Sequence, residues 1–188
     1  MKSFGTAFNT AHIEEGSYIY GPGCRFVIWL QGCSLRCKGC WNVSMWDFEQ
    51  RQLIEREILL QQILASGLDG VTILGGEPLQ QPENLLWLMT QLNEHKVHCM
   101  LYTGYEPEEI RNNPQFQKIA ELSDILIPGR YREEERDTFL KWRGSGNQKI
   151  ICKKPEDADI AESNQVEVIL EKDGSLCCLG YPDVDLIE

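Results

Sequence analysis

Short apolar runs recur at residues 25–31, 71–74, 97–102 and 124–127, and segments with helical periodicity or helix signals lie between them. This alternation constrains the fold more than any other feature. Between the first two runs, Leu53, Ile54, Ile58, Leu59, Ile63 and Leu64 predict a helix over 49–66, with Gly67 suited to its C-terminal cap. Segment 82–95 turns Leu85, Leu86, Leu88, Met89 and Leu92 inward as a second helix, and 107–122 reads as one or two short helices. Strands that alternate with helices imply a parallel sheet with right-handed crossovers. A fifth strand is expected at 148–152, and the charged stretch 130–143 reads as a helix or an ordered loop with a solvated face, the alternative being a protein-docking surface lined by Tyr131, Phe139 and Trp142. A closed eight-fold barrel takes about 250 residues, and this chain has 188. The expectation is therefore an α/β fold, a partial and incomplete β/α barrel open at one side. Residues 166–170 and 175–179 bracket Asp173-Gly174, which predicts a C-terminal β-hairpin that covers the sheet edge, with a partner-binding element as the alternative. The chain reads as a single domain over 1–188, with a core of about 16–152 and a C-terminal extension over 153–188.

The loops after the strands are unusual. Cys33, Cys37 and Cys40 follow the first strand, Gly75-Gly76-Glu77-Pro78 the second, Thr103-Gly104-Tyr105 the third and Pro128-Gly129 the fourth. In a parallel sheet these loops share the C-terminal face, where such folds place their ligands. The three cysteines fall within eight residues, with no fourth Cys or His at metal spacing nearby. A closed structural zinc site needs four ligands. A four-iron cluster usually takes four thiolates, so three would leave one iron open to chemistry. The competing readings are half of a zinc ribbon, or a cluster that only carries electrons. Gly75 and Gly76 let the backbone approach a ligand closely. Glu77 can accept hydrogen bonds from a ligand ammonium, although the segment taken alone is an ordinary turn. Cys24, Cys99, Cys152, Cys177 and Cys178 show no ligand spacing. Cys99 and Cys152 read as small core residues, and Cys177 and Cys178 must point to opposite faces of a regular strand.

The C-x3-C-x2-C spacing, followed by GGEP after the next strand, resembles the radical S-adenosylmethionine (radical SAM) superfamily. Gly21-Pro22-Gly23-Cys24-Arg25, Trp29, and Gly32-Cys33 through Trp41-Asn42 are similar to the signature of its glycyl-radical-activating enzymes. The segments Tyr102-Thr103-Gly104-Tyr105 and Trp142-Arg143-Gly144-Ser145-Gly146-Asn147-Gln148 resemble the group that activates anaerobic ribonucleotide reductases. The resemblance spans roughly residues 16–151 and implies a partial barrel of the radical SAM type. It implies a [4Fe-4S] cluster on Cys33, Cys37 and Cys40, which thereby become catalytic. It implies S-adenosylmethionine (SAM) contacted by Gly39, Cys40 and Trp41, largely through backbone, by Gly75, Gly76 and Glu77 at its amino group, and by Thr103. It assigns Arg25 to holding the loop that meets a partner's glycine. The implied reaction is reductive cleavage of SAM to a 5'-deoxyadenosyl radical, which generates a glycyl radical on a partner glycyl radical enzyme such as anaerobic ribonucleotide reductase. A flavodoxin-like donor would supply the electron. The alternatives are a radical SAM enzyme acting on a small molecule, similar to 7-carboxy-7-deazaguanine synthase, or on another peptide. In another class stands a non-catalytic iron–sulfur or zinc protein.

The formal net charge of −11 argues against nonspecific binding to nucleic acid or to an anionic membrane, because nothing offsets phosphate repulsion. No apolar stretch at the N-terminus has signal-peptide length, and no run reaches membrane-spanning length. The eight cysteines therefore read as metal or redox chemistry in a reducing cytoplasm rather than as a disulfide framework.

Overall fold

The computed structural model describes residues 4–158, 164–170 and 173–182. Its centre is a mixed sheet of seven strands in the order β3-β1-β2-β4-β5-β6-β7. These are β1 (Ala7–Ser17), β2 (Arg25–Leu30), β3 (Gln52–Glu55), β4 (Gly70–Gly75), β5 (His98–Thr103), β6 (Ile125–Pro128) and β7 (Ile151–Cys152). The four strands predicted from continuous apolar runs, β2, β4, β5 and β6, pair in parallel and form the middle of the sheet. Helices α1 (Arg56–Ser66), α2 (Pro82–Glu94), α3 (Pro107–Asn112) and α4 (Pro114–Leu122) make the connections.

The edges differ from the all-parallel expectation. Strand β1 runs antiparallel to both β2 and β3, and β7 runs antiparallel to β6. Strand β1 carries polar residues at positions that are buried, so its sequence does not alternate cleanly. Asn9 is buried, and its side chain donates to the Glu49 carbonyl at 2.9 Å and accepts from the Arg51 amide at 2.9 Å. The predicted helix over 49–66 is divided. Gln52–Glu55 pairs with β1, placing Ile54 opposite Phe8, and only Arg56–Ser66 is helical. Leu53 and Ile54 fit either period, and the unpaired edge of β1 decides between them. Gly67 caps the helix in the left-handed conformation, φ 63°. Strand β7 has only two residues, and Gln148, expected to start it, lies in the preceding loop, where its side chain accepts from the Gly144 amide and donates to the Gly129 carbonyl. Segment 130–143 is an ordered loop with one short 3-10 turn at Glu133–Glu135, and it is not wholly solvated, since Trp142 is buried.

The pleat separates two faces. Phe26, Ile28 and Leu30 of β2, Val71 and Ile73 of β4, and Leu101 of β5 point to the helices and pack with Leu59, Ile63, Leu85, Met89 and Ile119. Each fully buried side chain of this size contributes about 1.5–3 kcal/mol. Val27, Trp29, Leu74, Met100 and Ile127 point the other way. No α-helix covers that face among the described residues, although Met45 of a short 3-10 turn packs against it. The hairpin β8 (Val166–Leu170) with β9 (Leu176–Gly180) lies over one part of it, with Ile169, Cys177 and Leu179 against Val27, Trp29 and Leu74. Trp142 covers another part, against Met100, Ile125 and Ile127. The predicted hairpin thus exists, but it covers a face of the sheet instead of an edge. Two-stranded hairpins are marginal alone, and the apolar inner side of this one finds a larger surface on the sheet face.

Arg25 overturns its expectation. It starts β2, at the end of the sheet opposite the cysteine loop, and is fully buried. Its guanidinium donates to Thr72 Oγ1 at 3.1 Å, the Val71 carbonyl at 2.6 Å and the His98 carbonyl at 3.1 Å. Burial lowers its pKa to about 10. Arg25 therefore clamps the starts of β2, β4 and β5 and does not hold a loop at the cavity. Gly70 and Gly21 leave the room it occupies.

Candidate active site

The loops that leave the C-terminal ends of the parallel strands are locked to one another by backbone hydrogen bonds. The Gly76 amide donates to the Leu30 carbonyl at 2.8 Å, and the Glu77 amide donates to the Gly32 carbonyl at 2.9 Å. Gly32 and Cys33 donate in turn to the carbonyls of Met45 and Trp46, each at 2.9 Å. A Cβ added at Gly76 would lie 2.5 Å from the Gly32 carbonyl oxygen and 2.7 Å from that of Met45. Only glycine allows this approach, because both obstacles are backbone. Gln80 completes the link, accepting from the Ser34 amide at 3.0 Å and donating to Ser34 Oγ at 2.6 Å.

Glu77 joins the second loop to the third. It is buried, with Oε1 accepting from the Leu79 amide at 2.9 Å and Thr103 Oγ1 at 2.8 Å. Its Oε2 accepts from the Gly104 amide at 2.7 Å. Burial pushes the carboxyl up to about 7, against the pull of these three donors. The third loop meets the fourth through the Gly129 amide, which donates to the carbonyls of Thr103 and Tyr105, each at 3.1 Å. The WRGSGNQ segment closes the ring. Asn147 Nδ2 donates to the Arg130 carbonyl at 2.8 Å, and Gln148 Nε2 donates to the Gly129 carbonyl at 3.1 Å.

These loops surround one cavity of about 390 Å³. Cys33, Cys37, Cys40, Trp41, Gly75, Gly76, Glu77 and Thr103 all line it. Gly39 does not. It is exposed, and a Cβ there would meet Glu133 Oε1 at 2.8 Å. Burial pushes the Cys33 and Cys37 thiols up. The amides of Arg36 and Leu35 oppose this at Cys33, and that of Tyr131 opposes it at Cys37. Among the described residues no three His, Cys, Asp or Glu side chains converge as a single ion requires. The thiol donors around the shared cavity are Cys33, Cys37 and Cys40 from the first loop and Cys178 from β9, the donor type that holds iron–sulfur clusters. Among the described residues the Nε of Arg143 and the indole Nε1 of Trp46 are buried without a partner, and both residues line the cavity. Two unsatisfied donors on residues that share a cavity with these thiols suit a ligand that carries a carboxylate, as SAM does.

The sequence reading missed one wall of this cavity. Asn164, Gln165, Cys178, Leu179, Gly180 and Tyr181 come from the hairpin and the segments that flank it. Tyr181 packs edge-on to Trp41 at 5.3 Å and donates to the Tyr131 hydroxyl at 2.9 Å. Burial raises its phenol well above the usual range. Nothing in the pattern around Tyr181 signals this placement, because it depends on how the hairpin docks.

A cavity at the C-terminal ends of parallel strands, lined by Cys33, Cys37, Cys40 and Cys178, offers the donor type of an iron–sulfur site on an α/β fold. The model of the 4Fe-4S single cluster domain matches residues 19–151. The chain is 32% identical over 151 residues to the anaerobic ribonucleoside-triphosphate reductase-activating protein of Enterobacteria phage T4, covering 76% of this chain and 92% of that protein. It is 34% identical over 143 residues to the protein of the same name from Haemophilus influenzae, covering 70% of this chain and 90% of that one. The chain belongs to this family of reductase-activating proteins, within the 4Fe-4S single cluster domain family. Among solved structures, QueE from Escherichia coli is similar at 23% identity with a TM-score of 0.40, over 53% of this chain and 52% of that one.

Proposed function

We propose that this chain is a radical SAM activase that installs a glycyl radical on an anaerobic ribonucleotide reductase. The carrying observation is the convergence of Cys33, Cys37, Cys40 and the GGEP and TGY loops on one cavity. With a [4Fe-4S] cluster and SAM bound, the site supplies reductive cleavage of the sulfonium and abstraction of hydrogen from a backbone glycine. The chain's own residues bind and orient. Cys33, Cys37 and Cys40, as thiolates, hold three irons. Gly75 and Gly76 bring backbone against the ligand, and Cys40 and Trp41 flank it, with Gly39 shaping the turn before them. Glu77 offers negative charge to the ligand's ammonium, and Thr103 acts by fixing Glu77 Oε1. Arg143 and Trp46 offer donors to the carboxylate.

In this reading the open sheet is an incomplete β/α barrel, and residues 1–188 form one domain with a core of about 16–152. A flavodoxin-like protein in the cytoplasm delivers the electron. No helix among the described residues is long and apolar enough to cross a membrane.

The test is anaerobic reconstitution with iron and sulfide, followed by SAM, dithionite and the reductase. The expected result is 5'-deoxyadenosine and a glycyl radical signal, both lost in Cys37→Ala. A full four-iron cluster with no 5'-deoxyadenosine, with or without the reductase, would return the chain to the class of electron carriers. SAM turnover raised by a pterin and indifferent to the reductase would favour a small-molecule substrate.

A further inference from the structure

The hairpin β8–β9 has two unlike sides. Its inner side packs on the sheet face, and the chain ties it there at several points. Ser17 Oγ donates to Glu167 Oε2 at 2.6 Å, the Tyr18 amide donates to Glu167 Oε1 at 2.8 Å, and the Gly180 amide donates to the Tyr20 hydroxyl at 2.8 Å. Its outer side is apolar and open. Val168 is 63% exposed, Leu170 71% and Leu176 70%. The register sets Leu170 opposite Leu176 and Val168 opposite Cys178, so these residues form one continuous face across both strands. Scattered exposed apolar residues need no explanation, but a contiguous patch marks an interaction site.

Among the described residues no strand pairs with the outer edge of β9, where only the Gly180 amide meets a side chain, the Tyr20 hydroxyl. The Gly180 amide points to Tyr20 and not to Val166, so Gly180 and Val166 form a non-hydrogen-bonded pair. By the alternation of an antiparallel ladder, the amides and carbonyls of Leu176 and Cys178 also point away from β8. An edge of this kind can accept an added strand.

We propose that this outer face and the edge of β9 at Leu176 and Cys178 form the docking platform for the glycine-bearing protein substrate. The inference rests on the activase reading. Three observations select this occupant. First, Cys178, Leu179 and Gly180 of β9 and Tyr181 form a wall of the active-site cavity, so a protein docked on the hairpin stands beside the cavity its loop must reach. Second, the hairpin lies outside residues 19–151, the span matched by the family model, which suits an element that fits this chain's own partner. Third, the face is uncharged in a chain of net charge −11, so it offers apolar contact and backbone pairing to a polypeptide and nothing that selects an anion.

The test measures equilibrium binding of the anaerobic ribonucleotide reductase from the same source to the reconstituted full chain. The variants are the double substitution Val168→Glu with Leu170→Glu, and Leu176→Pro with Leu176→Ala as its control. Proline removes only an outward-facing amide at the first residue of an edge strand, where it is tolerated. The expected result is a dissociation constant at least tenfold higher for the double variant and for Leu176→Pro, with a smaller change for Leu176→Ala. Formation of 5'-deoxyadenosine without the reductase stays unchanged, and the radical yield recovers at saturating reductase. Unchanged binding in the double variant overturns the proposal. So does a wild-type dimer that the double variant dissociates without loss of reductase binding, since the face would then belong to a second copy. A fall in melting temperature with binding unchanged also overturns it, because the chain's own residues would then cover the face. If wild type binds the reductase but forms no glycyl radical, the activase reading fails while the docking platform stands.

Discussion

Replacing Glu77 by Gln separates two physical effects that meet at one carboxyl. Three donors converge on it, from Leu79, Thr103 and Gly104. A carboxylate can accept all three. A glutamine amide has one oxygen, and its NH2 must face a donor whichever way it is flipped. One buried donor is then left without an acceptor, at about 1–3 kcal/mol. The second effect has the opposite sign. The Glu77 carboxyl titrates from an ordinary value of 4.5 up to about 7 in the folded chain, chiefly because of burial. A group that holds its proton more tightly when folded stabilises the fold at low pH and loses that contribution as pH rises through the folded value. Between 4.5 and about 7 the loss amounts to about 3 kcal/mol, at about 1.4 kcal/mol per pH unit. For a domain of this size that corresponds to about 6 to 12 °C in melting temperature. The Gln variant has no such titration. Wild type is therefore expected to exceed the variant clearly at pH 5, with the gap closing or reversing by pH 8. The assay is thermal unfolding of both proteins without SAM, under anaerobic reducing conditions, in half-unit pH steps. Subtracting the curves removes every other titrating group. A gap that stays constant or widens as pH rises would refute the reasoning, since Glu77 would then be fully ionised across the window.

Gly76→Ala places a Cβ against two backbone carbonyls, so the first two loops must part. We expect a cost of about 1–3 kcal/mol together with weaker SAM retention by equilibrium dialysis. An intact affinity for SAM would show that the close approach is not needed. Arg25→Met leaves the Val71 and His98 carbonyls without their donor. The expected loss is about 3 kcal/mol in a denaturant titration, with 5'-deoxyadenosine formed per folded molecule unchanged. Loss of turnover in a fully folded Arg25→Met variant would return Arg25 to the cavity.

The four central strands were legible because parallel strands buried on both faces read as continuous apolar runs. The motif loops were legible for the same reason, since each follows such a run. Strand β1 was not, because Asn9 and Thr10 are buried polar residues whose partners, at Glu49, Arg51 and Gln52, lie about forty positions away. The division at Glu55 was hidden because Leu53 and Ile54 satisfy helical and strand periods alike. Arg25 was read through a motif rather than its surroundings. Its role follows from Gly70, whose missing side chain makes room for the guanidinium. Tyr181 and the cavity wall around it depend on how a distant hairpin docks, which no local pattern records.

The ties between the start and the end of this chain have a consequence in time. Tyr18 and Tyr20 reach Glu167 and Gly180 across 149 and 160 positions. A nascent chain emerges N-terminus first, so the parallel strands and Cys33, Cys37 and Cys40 can be assembled while the hairpin wall of the cavity is still being synthesised. The cavity is therefore widest before the hairpin docks. A cluster delivered during that interval meets an open basin, and one delivered after release must pass the finished rim. Loading during synthesis and loading of the completed protein should thus differ in rate, with the C-terminal hairpin setting the difference.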